Sequence, residues 1–311
     1  MVTVGLPVPA AVARLPAEPG VYRFRDEHGR VLYIGRAGDL RRRVRSYWGS
    51  LRDRAHLRRM VPRIAAVEAV VCASEHEAAW LERNLLEHRK PYWNRSRGGQ
   101  EVPVFIRLDP GPRSAGLTIV HEGQTATGAL FGPYLGGLKV RLAVSALHRS
   151  LSLAYAGDGL TGSDADMARV RGVDPAGRES LVAKAMTLLQ RDPAVVAAVR
   201  EDLVRRRDGA AAALLFEVAG RIQEELAAME WVVAPQRVTA PDAGDAVLSG
   251  WAGGLQVTFT VRAGRLREWS QRACTESAAR RAVEATPPAW AEFAHRNAEL
   301  AARLTSSPAL A

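Results

Sequence analysis

The hydrophobic pattern of the chain begins with two short apolar runs. Val21-Tyr22-Arg23-Phe24 and Val31-Leu32-Tyr33-Ile34 predict strands, and Asp26-Glu27-His28-Gly29 between them has turn chemistry, so the pair reads as an antiparallel hairpin. Pro16, Pro19 and Gly20 punctuate its entry, and residues 1–13, rich in Pro, Ala and Val, read as a loose arm. Asp39 predicts the N-cap of a helix from Leu40 to about Trp48, with Leu40, Val44 and Tyr47 on one side and Arg43 beside them. A second helix is expected through His56–Ile64, and β-branched Val67–Val71 predicts a third strand. Ser74-Glu75-His76-Glu77 matches a capping box, opening a helix that runs to about Arg89 and is stopped by Pro91.

The apolar stripe of that helix is Ala78, Ala79, Leu85 and Leu86, and Glu82 falls in its middle. A carboxylate on a buried stripe is costly unless a cation, a donor network or a metal meets it. The plain alternative is a position at the stripe's edge, paired with a structural arginine.

Farther on, residues 102–108 and 116–121 predict two strands around Pro110-Gly111-Pro112. Phe131-Gly132-Pro133-Tyr134 reads as a turn into an amphipathic helix, about Leu138–Leu151. Residues 156–165 read as a linker, and Glu179–Trp231 as helical, broken at Asp192-Pro193 and near Asp208-Gly209. Residues 233–245 read as a second linker, residues 257–269 as a hairpin, and the rest as an alanine-rich helix or two with a frayed tail.

Composition narrows the classes. With 311 residues, 47% apolar and 24% charged, the chain fits one large globular domain or two or three small ones. Two cysteines, Cys72 and Cys274, cannot build a disulfide scaffold, a four-thiolate zinc site or an iron–sulfur cluster. His28, His56, His76 and His88 lack zinc-ligand spacing. No apolar run reaches the roughly 18 residues of a membrane span. The first residues lack a basic region, so a cytoplasmic location is expected.

The net charge of +10 is concentrated: between Arg36 and Arg63 stand ten arginines and two acids. Guanidinium forks fit phosphate oxygens bidentately, so Arg41, Arg42, Arg45, Arg52, Arg54, Arg58 and Arg59 are candidate nucleic-acid contacts. Tyr47, Trp48 and His56, interleaved among them, offer rings on which a base can stack. The alternative is a solvated helix face. Arg205-Arg206-Arg207 reads as a solvated helix end.

Taken in order, these residues carry a resemblance. Gly20-Val21-Tyr22, then Tyr33-Ile34-Gly35, Arg36, Leu40, Arg43 and Tyr47, resemble the GIY-YIG nuclease motif. Glu77-Ala78 and Leu81-Glu82-Arg83-Asn84-Leu85-Leu86 resemble that family's metal-ligand helix, and Lys90-Pro91-Tyr92-Trp93-Asn94 its closing asparagine motif. Leu15-Pro16, Arg45-Ser46-Tyr47 and Phe131-Gly132-Pro133-Tyr134 followed by Val140-Arg141 resemble the amino-terminal half of the UvrC family, in the layout of short, Cho-like homologues. More faintly, Leu214–Ala219 with Arg221-Ile222 resembles the UVR helix pair through which UvrC meets UvrB, and residues 247–269 the first hairpin of UvrC's RNase H-like domain. The chain departs from the family in three ways. Leu153-Ala154-Tyr155 stands where relatives often cluster cysteines, the length leaves room for only one active site, and Arg36 replaces a frequent lysine.

The resemblance implies an α+β fold. A small GIY-YIG domain over 14–97, a three-stranded antiparallel sheet with flanking helices, would follow the arm. After it would come a UvrC-like α/β extension over 98–155, a helical region with the UVR-like segment over 156–235 and a C-terminal hairpin-and-helix piece over 236–311. It also implies a nucleotide-excision-repair endonuclease that cuts damaged double-stranded DNA on the 3′ side of a lesion with one Mg²⁺ (or Mn²⁺). Glu82 would hold the metal, Arg43 clamp the phosphate and Tyr22 accept the proton of the attacking water. Tyr22's phenol would be lowered by Arg36 and the metal, Tyr33 and Tyr47 would orient water and phosphate, and Asn94 would hold the site together. UvrB is the expected partner, through residues 211–231. Two rivals remain: a DNA-binding module that does not cut, and a protein whose main role is to engage UvrB.

Overall fold

Ten helices and nine strands make up the described residues of the computed structural model, which are 8–49, 57–95, 101–113, 116–121, 128–158, 160–240 and 243–305. They fall into two compact units, one of residues 1–100 with 235–311, the other of residues 101–234. The segment 236–311, expected as a separate piece, therefore packs in the same unit as the first hairpin.

In that unit β1 (Gly20–Arg25) lies between β2 (Val31–Ala37) and β3 (Ala66–Val71), all antiparallel. Val8–Ala13, expected within the loose arm, form helix α1, and Val12 and Leu15 join the core. Asp39 caps α2 (Leu40–Arg45) by accepting the Arg42 N–H at 2.8 Å, and a tighter 3₁₀ turn carries Ser46–Trp48. The helix expected through His56–Ile64 is replaced, where described, by 3₁₀ turns ending at Val61–Arg63, because Pro62 has no N–H to extend them. Helix α3 (Glu75–His88) begins with Ser74 accepting the Glu77 N–H at 3.0 Å. Glu77 departs from the usual box: its carboxylate takes the N–H groups of Ala73 (2.6 Å) and Arg237 (2.9 Å).

Five elements from the chain's far end complete this unit. Strands β7 (Ala246–Ala252), β8 (Leu255–Arg262) and β9 (Arg265–Ala273) form an antiparallel sheet, one strand more than the expected hairpin. Helix α9 (Glu276–Glu284) follows, and α10 (Pro288–Thr305) crosses β7 so closely that a Cβ at Gly250 would overlap the Ala294 carbonyl. Leu300 and Leu304 of α10 sit in one apolar cluster with Val12, Tyr22 and Phe24.

Both open edges of the first sheet are closed by asparagine side chains. Asn94 accepts the Ile34 N–H (3.0 Å) and donates to the Ile34 carbonyl (2.7 Å) on β2. Asn297 of α10 does the same for Val71 on β3, at 2.7 and 3.3 Å. A strand edge left bare would carry unpaired donors and acceptors; here each amide pairs one residue of its edge strand.

The second unit sets sheet β5-β4-β6 against helices. Strands β4 (Val104–Leu108) and β5 (Leu117–His121) were expected, whereas β6 (Ala129–Tyr134) replaces the predicted turn. Its Gly132-Pro133 pair hides the strand signal, yet Phe131 and Tyr134 pair with Ile106 and Val104. Helix α4 (Gly137–Leu151) packs on α8 (Phe216–Val233), and α5 (Ser163–Val170) begins inside the expected linker. The helical stretch after it holds α6 (Arg178–Leu189) and α7 (Pro193–Ala212). The second break falls at Ala213–Leu215, with Leu214 at φ 60°, because the Leu214 and Leu215 N–H groups cap the carbonyls of Ala211 and Ala210. α7 passes straight through Asp208-Gly209.

Candidate functional site

The register of β1 and β2 sets Tyr22 opposite Gly35 and Phe24 opposite Tyr33, so these residues share one face of the sheet. Tyr47, from the 3₁₀ turn after α2, comes down onto that face. Its hydroxyl lies 2.7 Å from that of Tyr22, and the ring centroids of Tyr22 and Tyr33 lie 5.9 and 6.1 Å from its own. Phe24 floors the group, 5.0 Å from Tyr47 and 5.3 Å from Tyr22.

Gly35 makes this possible. A Cβ there would stand 2.5 Å from the Tyr22 hydroxyl and 2.8 Å from the Tyr33 ring. A Gly35→Ala substitution must therefore push Tyr22 out of place. The expected cost is about 1–3 kcal/mol of stability, measurable by thermal unfolding, with loss of whatever chemistry the tyrosines perform.

Burial pushes the phenols of Tyr22, Tyr33 and Tyr47 well above their ordinary range, and the neighbouring hydroxyls act in both directions: Tyr33 raises Tyr22 and Tyr47 raises Tyr33, whereas the Tyr47 bond lowers Tyr22. For Tyr33 the carboxylate of Glu82 contributes as well. Arg43 is the opposing influence. Its guanidinium bonds to the Tyr22 hydroxyl, lies 5.6 Å from the Tyr47 ring centroid and draws all three phenols down. Burial works against Arg43's own charge, but the surrounding hydroxyls outweigh it and hold its pKa above the usual value. Where the expectation named Arg36 with the metal as what lowers Tyr22, the cation facing Tyr22 here is Arg43, and burial raises the phenol.

Arg36 instead meets Glu82, with Nε 3.4 Å from a carboxylate oxygen. Residues 77–81 and 84–86 of α3 are buried almost all round, and Glu82 is the helix's opening toward the tyrosines, its side chain 22% exposed. Glu82 is therefore half-buried at the edge of the stripe rather than enclosed in its middle. A carboxylate so placed keeps one face for a ligand. Among the described residues no group of three or more His, Cys, Asp or Glu gathers that could hold a metal. The donor set is one carboxylate with hydroxyls nearby. That fits Mg²⁺, which keeps several waters and takes one or two carboxylates plus a substrate phosphate.

Asn94 touches the backbone of Ile34, one residue past Tyr33, and so fixes the strand that carries Tyr33 and Gly35. Lys90 was not singled out from the sequence; its ammonium donates to the Asn94 carbonyl at 2.7 Å and steadies that turn. The Lys-Pro pair ahead of the asparagine was its only signal.

Arg41, Arg42, Arg45, Arg58 and Arg59 are exposed. Arg52, Arg54 and His56 lie outside the described residues. The site thus unites Tyr22, Tyr33, Arg36, Arg43, Tyr47 and Glu82, with Asn94 bracing β2 from the turn after α3.

Comparison with known proteins places the first domain in a family. Residues 18–95 match the family model described as the UvrC-like GIY-YIG domain. UvrABC system protein C of Geobacter metallireducens is 35% identical over 142 residues, covering 45% of this chain and 23% of that protein. The Sphingopyxis alaskensis protein of the same name is 32% identical over 283 residues, covering 85% and 42%. The GIY-YIG N-terminal endonuclease domain of UvrC from Thermotoga maritima, crystallised with its catalytic magnesium, is 34% identical. It covers 27% of this chain and 91% of its own, with a TM-score of 0.25. This chain spans less than half the length of the curated relatives named here. Residues 18–95 are thus a UvrC-like GIY-YIG domain, and the chain resembles the amino-terminal half of the UvrC family.

Proposed function

We propose that this chain is a metal-dependent endodeoxyribonuclease of the nucleotide-excision-repair type. It would nick damaged double-stranded DNA on the 3′ side of a lesion. The observation that carries the reading is the meeting of Arg43, three tyrosine hydroxyls and the half-open Glu82 on one face of the sheet. A non-cutting DNA-binding module would use the arginines but has no need of that set.

Phosphodiester hydrolysis needs a positioned water, counter-charge for the non-bridging oxygens and help for the leaving oxygen. Glu82 would hold one Mg²⁺ (or Mn²⁺), which when bound supplies Lewis-acid stabilisation of the phosphate. Arg36 keeps the Glu82 carboxylate aimed into the site. Arg43 clamps a non-bridging oxygen of the scissile phosphate. Tyr22, bonded to both Arg43 and Tyr47, receives, in its phenolate form, the proton of the attacking water directly or by relay through Tyr47, while Tyr33 orients the water. Water's oxygen bonds to phosphorus, the P–O3′ bond breaks, the leaving 3′ oxygen takes a proton from solvent water, and the products carry a 3′-hydroxyl and a 5′-phosphate.

Because burial holds Tyr22 protonated, a rate that depends on its phenolate should climb with pH, tenfold per unit below its pKa. A pH–rate profile checks this: Tyr22→Phe should flatten the climb and slow the cut, and an unchanged profile would remove Tyr22 from the proton path. The function itself is tested with a lesion-bearing duplex incubated with and without UvrB, in Mg²⁺ and in EDTA. A nick in Mg²⁺ alone supports the reading; an intact duplex under every condition overturns it.

One observation favours an additional partner role. Leu214, Leu215, Phe216 and Val218, at the α7–α8 turn, are exposed, Phe216 at 67%. Apolar side chains gathered in that way mark interaction surfaces. Their likeness to the UVR segment makes UvrB the proposed partner.

A further inference from the structure

A second surface feature lies beside the tyrosine cluster and has no part in the chemistry just described. An open cleft of about 590 Å³ runs between α1 and α2, lined by Val12, Ala13, Arg41, Arg45 and Trp48. Arg41 and Arg45 are one helical turn apart, so they share a face of α2. Arg41 is held in place by its Nε bond to the Leu15 carbonyl at 2.6 Å. No acidic side chain pairs with either arginine among the described residues. Trp48 is 40% exposed, and its ring stands edge-on to Phe24 with centroids 6.0 Å apart. Phe24 is the ring beneath Tyr22 and Tyr47, so the indole contacts the tyrosine cluster through it.

A flat, half-exposed indole in an apolar cleft flanked by two permanent cations matches the two halves of a nucleotide. The base stacks and the phosphates meet the guanidinium forks. A base inside a regular duplex cannot reach it, whereas one already unpaired reaches it at little cost.

We propose that this cleft holds one unstacked nucleobase of the bound strand against Trp48, with Arg41 and Arg45 on the flanking phosphates. The proposal rests on the DNA-cutting reading and deepens it, since it gives the site a means of favouring distorted DNA.

The test uses the full chain in EDTA, so that nothing is cut. Two duplexes are compared, one fully paired and one with a short unpaired bubble carrying a fluorescent adenine analogue. Wild type should bind the bubble more tightly and change the analogue's fluorescence. Trp48→Leu keeps an apolar contact with Phe24 but has no stacking face. It should abolish the fluorescence change and weaken bubble binding about tenfold, leaving the salt dependence of binding unaltered; Trp48→Phe should restore most of both. Arg45→Gln should weaken both duplexes and lower the salt slope by about one. If Trp48→Leu matches wild type in affinity and fluorescence, the proposal is overturned while the DNA-binding reading stands. If wild type binds neither duplex, the underlying reading fails and the proposal with it.

Discussion

A chain cut after Ala234 should unfold at least about 10 °C below the intact protein, the scale set by losing a few kcal/mol from a unit of this size. The reason lies in what residues 235–311 satisfy. Asn297 accepts the N–H and donates to the carbonyl of Val71 at the end of β3's outer edge. The Glu77 carboxylate, fully buried, takes the Arg237 N–H, and the buried amide of Asn84 donates to the Val238 carbonyl (3.0 Å) and to Thr239 (2.9 Å). Arg23, also buried, donates to the Trp269 carbonyl at 2.8 Å and lies 3.9 Å from that indole's centroid. Removing the segment turns these contacts into water contacts, uncovers apolar surface around Trp80, and leaves β3 as a bare edge open to self-association. Scanning calorimetry with size-exclusion chromatography would show it. A milder version is Asn297→Leu, which leaves the Val71 N–H and carbonyl unpaired and should cost about 2–4 kcal/mol. A truncated chain as stable and monomeric as the full one would contradict this description of the unit.

The sequence carried the local geometry of the site well, because it rests on short-range signals. Asp39 caps α2, Ser74 caps α3, and Gly35 must be glycine because the hairpin register brings it under Tyr22. The partners of Glu82 and Tyr22 were harder to read. Arg36 and Arg43 are both near in sequence, and only the turn after β2 decides that Arg36 meets Glu82 while Arg43 meets the phenols. Strand β6 escaped notice because its pairing with β4 is a tertiary fact, and Gly132-Pro133 speaks locally for a turn. The union of the first hundred residues with the last seventy-odd escaped it for the same reason. Asn297 and Val71 are 226 positions apart, and nothing at either position announces the other.

The second large effect concerns Glu82. Glu82→Gln keeps the side chain's size and its place at the edge of α3, so the fold and the arginine surface should be untouched. It removes the carboxylate that opens toward the tyrosines and would hold Mg²⁺. Groups that stabilise the developing charge of a reacting centre contribute on the order of a thousandfold each, and this one would also hold the metal. Cleavage should therefore fall by at least about that factor, while DNA affinity and its steep decline in salt persist. The account's central claim, phosphodiester hydrolysis organised around Glu82, is tested most directly by single-turnover nicking of one end-labelled, lesion-bearing duplex. Wild type and Glu82→Gln would be compared in Mg²⁺ with UvrB present. The account predicts a nick on the 3′ side of the lesion with wild type and an intact strand with the variant. A variant that cuts as fast as wild type would contradict it.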